Sequence, residues 1–152
     1  MKALTLYDPW ATLVVLGEKQ YETRSWSTSY RGPLAIHVSK SFTGEMADLC
    51  HTEPFRSVLV ELEDWPRLGC IIGTVELERC WRMDKYRGPE FLPEVSEKER
   101  AFGDWSYGRW AWPLSSPRLL AAPIPCRGHQ GLWTVPLEIE ELLAATEVKP
   151  HG

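Results

Sequence analysis

Gly17-Glu18-Lys19-Gln20-Tyr21-Glu22-Thr23-Arg24 is the stretch from which the chain reads outward, because it sets four charged side chains at the exit of a short apolar segment. The lead-in, Asp8-Pro9-Trp10-Ala11-Thr12-Leu13-Val14-Val15-Leu16, supplies a carboxylate at the N-cap, a proline for the first helical position and Gly17 where the helix stops. Apart from Thr12 the segment has no polar residue after its start, so the helix is expected to be buried and to hold the following turn rigidly. Beyond that turn, Gln20 to Trp26 is predicted as a strand. The pleat would put Glu22, Arg24 and Trp26 on one face and Tyr21, Thr23 and Ser25 on the other. Lys19 lies in the turn itself, where Gly17 frees the backbone.

Lys2 to Leu6 alternates weakly and reads as a first strand. Pro33 to Lys40 is the clearest strand in the chain: Leu34, Ile36 and Val38 form its packed face. Ala35, His37 and Ser39 form the other, where small residues beside a histidine leave room for a ligand. Glu45 to Cys50 and Phe55 to Asp64 read as helices, and Cys70 to Trp81 as a long strand carrying Glu76 and Glu78 on one face. Met83 to Asp104 is charged, holds Pro89 and Pro93, and reads as a loop or insertion with at most a short helix around Ser96 to Arg100. Tyr107 to Leu114, Leu119 to Cys126 and Leu132 to Val135 are predicted as three further strands, and Leu137 to Ala145 as a closing helix. The later strands are joined by short connections rather than helical crossovers. This predicts an α+β fold, a small β-barrel of about six strands, closed or nearly closed, with short helices at its mouth.

A chain of 152 residues with 43% hydrophobic content suits one domain over residues 1–152. No apolar run approaches a membrane span and the N-terminus shows no cleavage pattern, so a cytoplasmic protein without a membrane partner is expected. Cys50, Cys70, Cys80 and Cys126 have no paired spacing and read as reduced. The net charge of −4 argues against wholesale attraction to nucleic acid. Residues 1–40, however, hold five basic residues against three acidic ones, which permits a local basic cleft.

With Pro9-Trp10-Ala11 before it, Gly17 to Arg24 matches the pattern GxKxxExR and resembles the signature of the ASCH domain, a branch of the PUA-like barrels. The likeness extends to Trp26 and Tyr30-Arg31-Gly32-Pro33-Leu34-Ala35-Ile36-His37, to Ile72-Gly73-Thr74-Val75-Glu76-Leu77, to Gly108-Arg109-Trp110-Ala111-Trp112 and to Arg127-Gly128-His129-Gln130-Gly131-Leu132-Trp133. It is weakest over 41–66 and 83–104. The resemblance implies a PUA-like barrel with a cleft beside the signature, and an association with RNA or nucleotides. It also implies two enzymatic alternatives, amidohydrolysis of acetylated cytidine and ribonuclease activity. In the amidohydrolases a lysine matching Lys19 activates a threonine three residues later. This chain has Glu22 there, and a carboxylate does not replace a hydroxyl nucleophile without changing the chemistry.

Lys19 can hold a phosphate or carbonyl, or serve as a base. In a hydrolase it would work with Glu22 or Glu76 as the proton-shuttling carboxylate. In a binding module Lys19, Arg24, Arg31 and Arg109 meet phosphate or a base carbonyl, Trp10 or Trp26 stacks, and Glu22 accepts from a base edge. His37 is a further ligand candidate against the plainer reading of a satisfied strand histidine. The expected partner is RNA, a nucleotide or a nucleoside, and the alternative is a protein interaction module with no nucleic-acid role. Cys126-Arg127-Gly128-His129 could begin a metal site, but no second half-site follows, so no metal and no cofactor are assigned.

Overall fold

The computed structural model describes residues 1–83 and 95–149. In chain order these form β1 (Lys2–Leu6), α1 (Trp10–Val15), β2 (Tyr21–Arg24), β3 (Gly32–Val38), α2 (Gly44–Leu49), α3 (Phe55–Leu59), β4 (Cys70–Leu77), β5 (Trp81–Arg82), α4 (Glu97–Phe102), β6 (Trp110–Pro125), β7 (Leu132–Thr134) and α5 (Leu137–Ala145). The strands make one curled sheet in the order β2-β6-β4-β3-β1-β7, with β5 also on β6, so the α+β half-barrel matches the expected PUA-like class. Strands β1 and β3 run parallel; every other pairing is antiparallel. No helix among the described residues is long and apolar enough to cross a membrane.

Helix α1 is buried as its composition requires: Ala11, Thr12, Leu13, Val14 and Val15 are all enclosed. Its cap comes from one residue further out than the pattern implies. Pro9 sits at the helix boundary, and the Asp8 carboxylate accepts from the Thr12 amide at 3.0 Å and the Thr12 hydroxyl at 2.8 Å. Gly17 then turns the chain with φ +77°, a conformation that side chains bearing a Cβ rarely take. Val14 and Val15 pack with Leu34, Ile36, Val38 and Trp112 in the core on one face of the sheet.

The opposite face of β3 is closed at Ala35, contrary to expectation, and leaves the expected room only at His37 and Ser39. Ala35 joins Ile71, Leu120, Trp133 and Leu143 in a second core, because β7 and α5 cover that side. Both faces of the sheet are therefore packed, and the face opens only where β3 ends.

Two predicted strands, Tyr107 to Leu114 and Leu119 to Cys126, are one continuous 16-residue strand, β6. Pro117 lies between the two predicted strands and Pro113, Pro123 and Pro125 lie within them, and a proline cannot donate to a ladder. The strand absorbs them through register irregularities against β4 and a left-handed Ser116 at φ 49°. Helix α3 is shorter than predicted and stops at Leu59. Of the predicted insertion, residues 84–94 lie outside those described. Residues 95–104 pack onto the body: α4 places Phe102 with Leu13, Phe55 and Leu59 in a third cluster.

The close approach of α1 to the sheet is set at Gly73. A Cβ there would fall on the Arg118 carbonyl oxygen and within 2.9 Å of Val15 Cβ, so backbone would have to move. Gly73→Ala should lose about 1–3 kcal/mol in urea unfolding. Gly44→Ala, where nothing lies within 4 Å, should be neutral or slightly stabilising in the same titration.

Candidate functional site

A cleft of about 910 Å³ opens where β1, β2 and β3 end, roofed by the loop that follows β6. A smaller one of about 360 Å³ adjoins it, and Trp10, Glu22, Thr23 and Arg109 line both. Among the described residues the larger cleft carries Arg24, Lys40, Arg109 and Arg127 with Glu22 as its sole carboxylate, against a chain of net charge −4.

Strand β2 enters the sheet only through β6, with Glu22 opposite Trp112 and Arg24 opposite Trp110. Trp112 is fully enclosed and its Nε1 donates to the Trp26 carbonyl at 3.2 Å, which pins the end of the signature. The Arg24 guanidinium lies 5.8 Å from the Trp26 ring centroid and donates to the Thr5 carbonyl at 3.4 Å, while its Nε finds no acceptor. Arg109 donates to the Thr23 carbonyl at 2.9 Å and lies 3.5 Å from Asp104, and its Nε is likewise without a hydrogen-bond acceptor. Both Nε atoms are buried, so what these side chains bring to the cleft wall is their positive charge.

Lys19 is only 3% exposed, lines the smaller cleft beside Glu22 and apolar Phe55 and Phe102, and donates to the Tyr21 carbonyl. The Glu22 carboxylate accepts from the Thr23 amide at 3.0 Å. Trp10 packs edge-on to Phe55 between the two clefts, with ring centroids 6.2 Å apart. The structure therefore brings Trp10, Lys19, Glu22, Arg24, Trp26 and Arg109 together, as the sequence predicts.

Glu76 and Arg31 line neither cleft. Glu76 pairs with Pro33, at the start of β3, whereas the cleft begins at His37. Four residues of strand separate the two levels, about 13 Å. Arg31 precedes the same end of β3 and donates to the carbonyls of Thr28 (2.6 Å) and Tyr30 (2.7 Å), bracing its own loop.

His37 lines the cleft but has no nitrogen to offer. The Cys126 carbonyl can only accept, so Nε2–H donates to it at 2.7 Å; Nδ1 of the neutral ring then accepts from the Thr5 hydroxyl at 3.2 Å, which itself accepts from Trp133 Nε1 at 3.1 Å. For a neutral ring the network selects the Nε2–H tautomer. Burial pushes the imidazole pKa down, and His129 and Lys40 nearby add to the shift. Gly128 lies flat on this ring: a Cβ there would sit 2.7 Å from Nδ1 and 2.8 Å from Thr5 Oγ1. His37 is a clasp for the loop that roofs the cleft rather than a ligand group.

Sequence reasoning missed Glu99. It is 5% exposed, and its two carboxylate oxygens accept the amides of Gln20 and Tyr21 at 2.9 Å each, so α4 holds the signature turn in place. Burial raises its pKa against the pull of those hydrogen bonds and of Lys19. The signal was the pair Ser96 and Glu99, spaced as a capping box. Ser96 does cap the Glu99 amide at 3.1 Å, but the Glu99 side chain leaves its own helix for β2. Tyr7, Lys40, Arg127 and His129 were also missed as cleft residues. For the last two, the glycines at 128 and 131 hinted at a loop pressed against something.

The fold and site together define a class: a curled PUA-like half-barrel with a charged cleft beside its first helix. The chain belongs to the ASCH domain family, whose model matches residues 4–112. Activating signal cointegrator 1 of Homo sapiens is 29% identical over 142 residues, covering 91% of this chain and 23% of that protein. Activating signal cointegrator 1 of Mus musculus is 28% identical with the same coverage, so the chain spans about a quarter of the length of these relatives. Among solved structures, ASCH from Zymomonas mobilis superposes with a TM-score of 0.56 at 17% identity, over 96% of this chain and 95% of that one. A tyrosine-to-phenylalanine mutant of the same protein gives 0.55 at 17% identity over 96% and 98%. These superpositions establish likeness of fold.

The buried groups set opposing pH dependences. Unfolded His37 titrates near 6.5 and folded His37 lower, so the unfolded chain binds the extra proton and stability falls as pH drops below about 6.5. Asp8 and Glu99, raised mainly by burial, gain stability as pH falls through their raised values. The wild-type minus His37→Gln difference in unfolding free energy should isolate the histidine. It should be flat above pH 7 and fall with a slope of at most about 1.4 kcal/mol per pH unit below 6.5. A flat difference across pH 5–7 would mean His37 is not held neutral.

Proposed function

We propose that this ASCH chain binds RNA or a nucleotide in the larger cleft. One observation carries the reading: among the described residues four cationic side chains and a single carboxylate line this cleft in a chain that is acidic overall. Phosphate is the ligand group that such a site suits, and Trp10, Trp26 and the 51%-exposed Tyr7 offer aromatic faces for bases beside it. Arg24 and Arg109 contribute guanidinium charge to the cleft wall. Glu22, between the cations, can accept from a base amino group.

Binding of a fluorescent single-stranded RNA followed by anisotropy at several salt concentrations tests this. Affinity should fall with salt, with a log–log slope near −3 for four neutralised phosphates, and Arg24→Ala should weaken binding and flatten the slope by about 0.7. No binding, or binding indifferent to salt, would overturn the reading.

A hydrolytic reading of the same site rests on the enclosed Lys19 ammonium beside Glu22 in the smaller cleft. Glu76 takes no part in it, since it lines neither cleft. With a carboxylate at position 22, the attacking oxygen would come from water, and Glu22 would take its proton. A mass-spectrometric time course on a short RNA carrying one acetylcytidine separates the two readings. Deacetylation or scission lost in Lys19→Ala establishes turnover, and an unchanged RNA leaves binding alone.

A further inference from the structure

Thr5 divides the larger cleft. Its carbonyl receives Arg24 from the signature side, and its hydroxyl sits among His37, Trp133 and Gly128 on the other. The far half is built from residues outside the signature. The Ser39 amide donates to the Leu6 carbonyl at 2.8 Å, which sets Lys40 beside Tyr7. The Lys40 stem packs over Gly69, whose carbonyl accepts the Cys126 amide at 3.1 Å, which brings in Arg127 and His129.

Resting on the nucleic-acid reading, we infer that the cleft holds at least two consecutive nucleotides of a single strand, the second in a subsite formed by Tyr7, Lys40, Arg127 and His129. Each half repeats the same pairing. Trp26 stands with Arg24 in the first, and exposed Tyr7 with Lys40 and Arg127 in the second. An aromatic face and a cation are what one base and one phosphate require. Among the described residues neither Lys40 nor Arg127 makes an ion pair or side-chain hydrogen bond, so three ammonium and five guanidinium protons remain for a ligand.

The one carboxylate that lines the cleft among the described residues, Glu22, lies on β2 in the signature half. The loop is also pre-placed. His37 grips the Cys126 carbonyl and Gly128 lies against its ring, so little ordering remains for binding. A cleft of about 910 Å³ is at the upper end of the range that encloses a drug-sized molecule, which leaves space beyond one nucleoside. Arg127 and His129 lie beyond residues 4–112 matched by the family model.

Titration calorimetry with cytidine monophosphate and the corresponding 5′-phosphorylated dinucleotide tests the inference. Wild type should bind the dinucleotide about tenfold or more tightly, the gain expected from one added stacked base and phosphate. The double variant Lys40→Ala/Arg127→Ala should bring that ratio to about one, whereas Arg24→Ala should weaken both ligands and keep the ratio. Equal affinities in wild type, or a ratio that survives the double variant, would overturn the second subsite and leave the binding reading standing. No binding of either ligand, nor of a longer RNA, would overturn both.

Discussion

The attachment of β2 to β6 is the constraint on which the site depends. Among the described strands β2 has no other partner, so the signature residues stand where β6 puts them. One strand can serve both β2 and β4 because it bends: residues 110–113 pair with β2, and 114–125 with β4. Trp112 anchors the junction from below, enclosed in the core while its indole N–H holds the Trp26 carbonyl. An aromatic of that size in the core at a strand crossing contributes area burial and a fixed geometry at once.

Polar groups near the cleft are satisfied by atoms of distant segments. The Gln20 and Tyr21 amides meet the Glu99 carboxylate from α4. The Thr5 hydroxyl, His37 ring, Trp133 indole and Cys126 carbonyl close a chain of hydrogen bonds that spans β1, β3, β7 and the loop after β6. Because unpaired polar groups are costly when buried, such networks fix side-chain positions more sharply than apolar packing does. The consequence is a division of labour: the groups whose hydrogen bonds are complete, His37 above all, form the floor, and the cations Arg24, Arg109, Lys40 and Arg127 line the ligand space.

The acidity of the whole chain and the basicity of the cleft are compatible because the acid lies elsewhere. Much of it is on α5 and on the segment around α2 and α3, whose Glu and Asp side chains are largely exposed. Such a distribution limits indiscriminate association and leaves one surface attractive to phosphate.

The sequence by itself determined a good deal. The apolar run after Asp8-Pro9 required a buried helix, Gly17 required a turn, the alternation in 33–40 put Leu34, Ile36 and Val38 together in one core, and α5 runs over the residues its pattern indicated. The motif also gathered Lys19, Glu22 and Arg24 correctly, because they are neighbours along the chain. Tertiary structure alone decided which end of the sheet opens. Strand periodicity reports the face on which a residue lies and is silent about its level along the barrel. Glu76, chosen by strand position, therefore fell at the far end with Arg31, while Tyr7, Lys40 and Arg127 converged at the near one. Glu99 escaped for a related reason: its local pattern describes a helix cap, and the stronger demand came from two backbone amides nearly eighty residues away. Long-range pairing and the curl of the sheet set these contacts, and neither leaves a mark in local sequence.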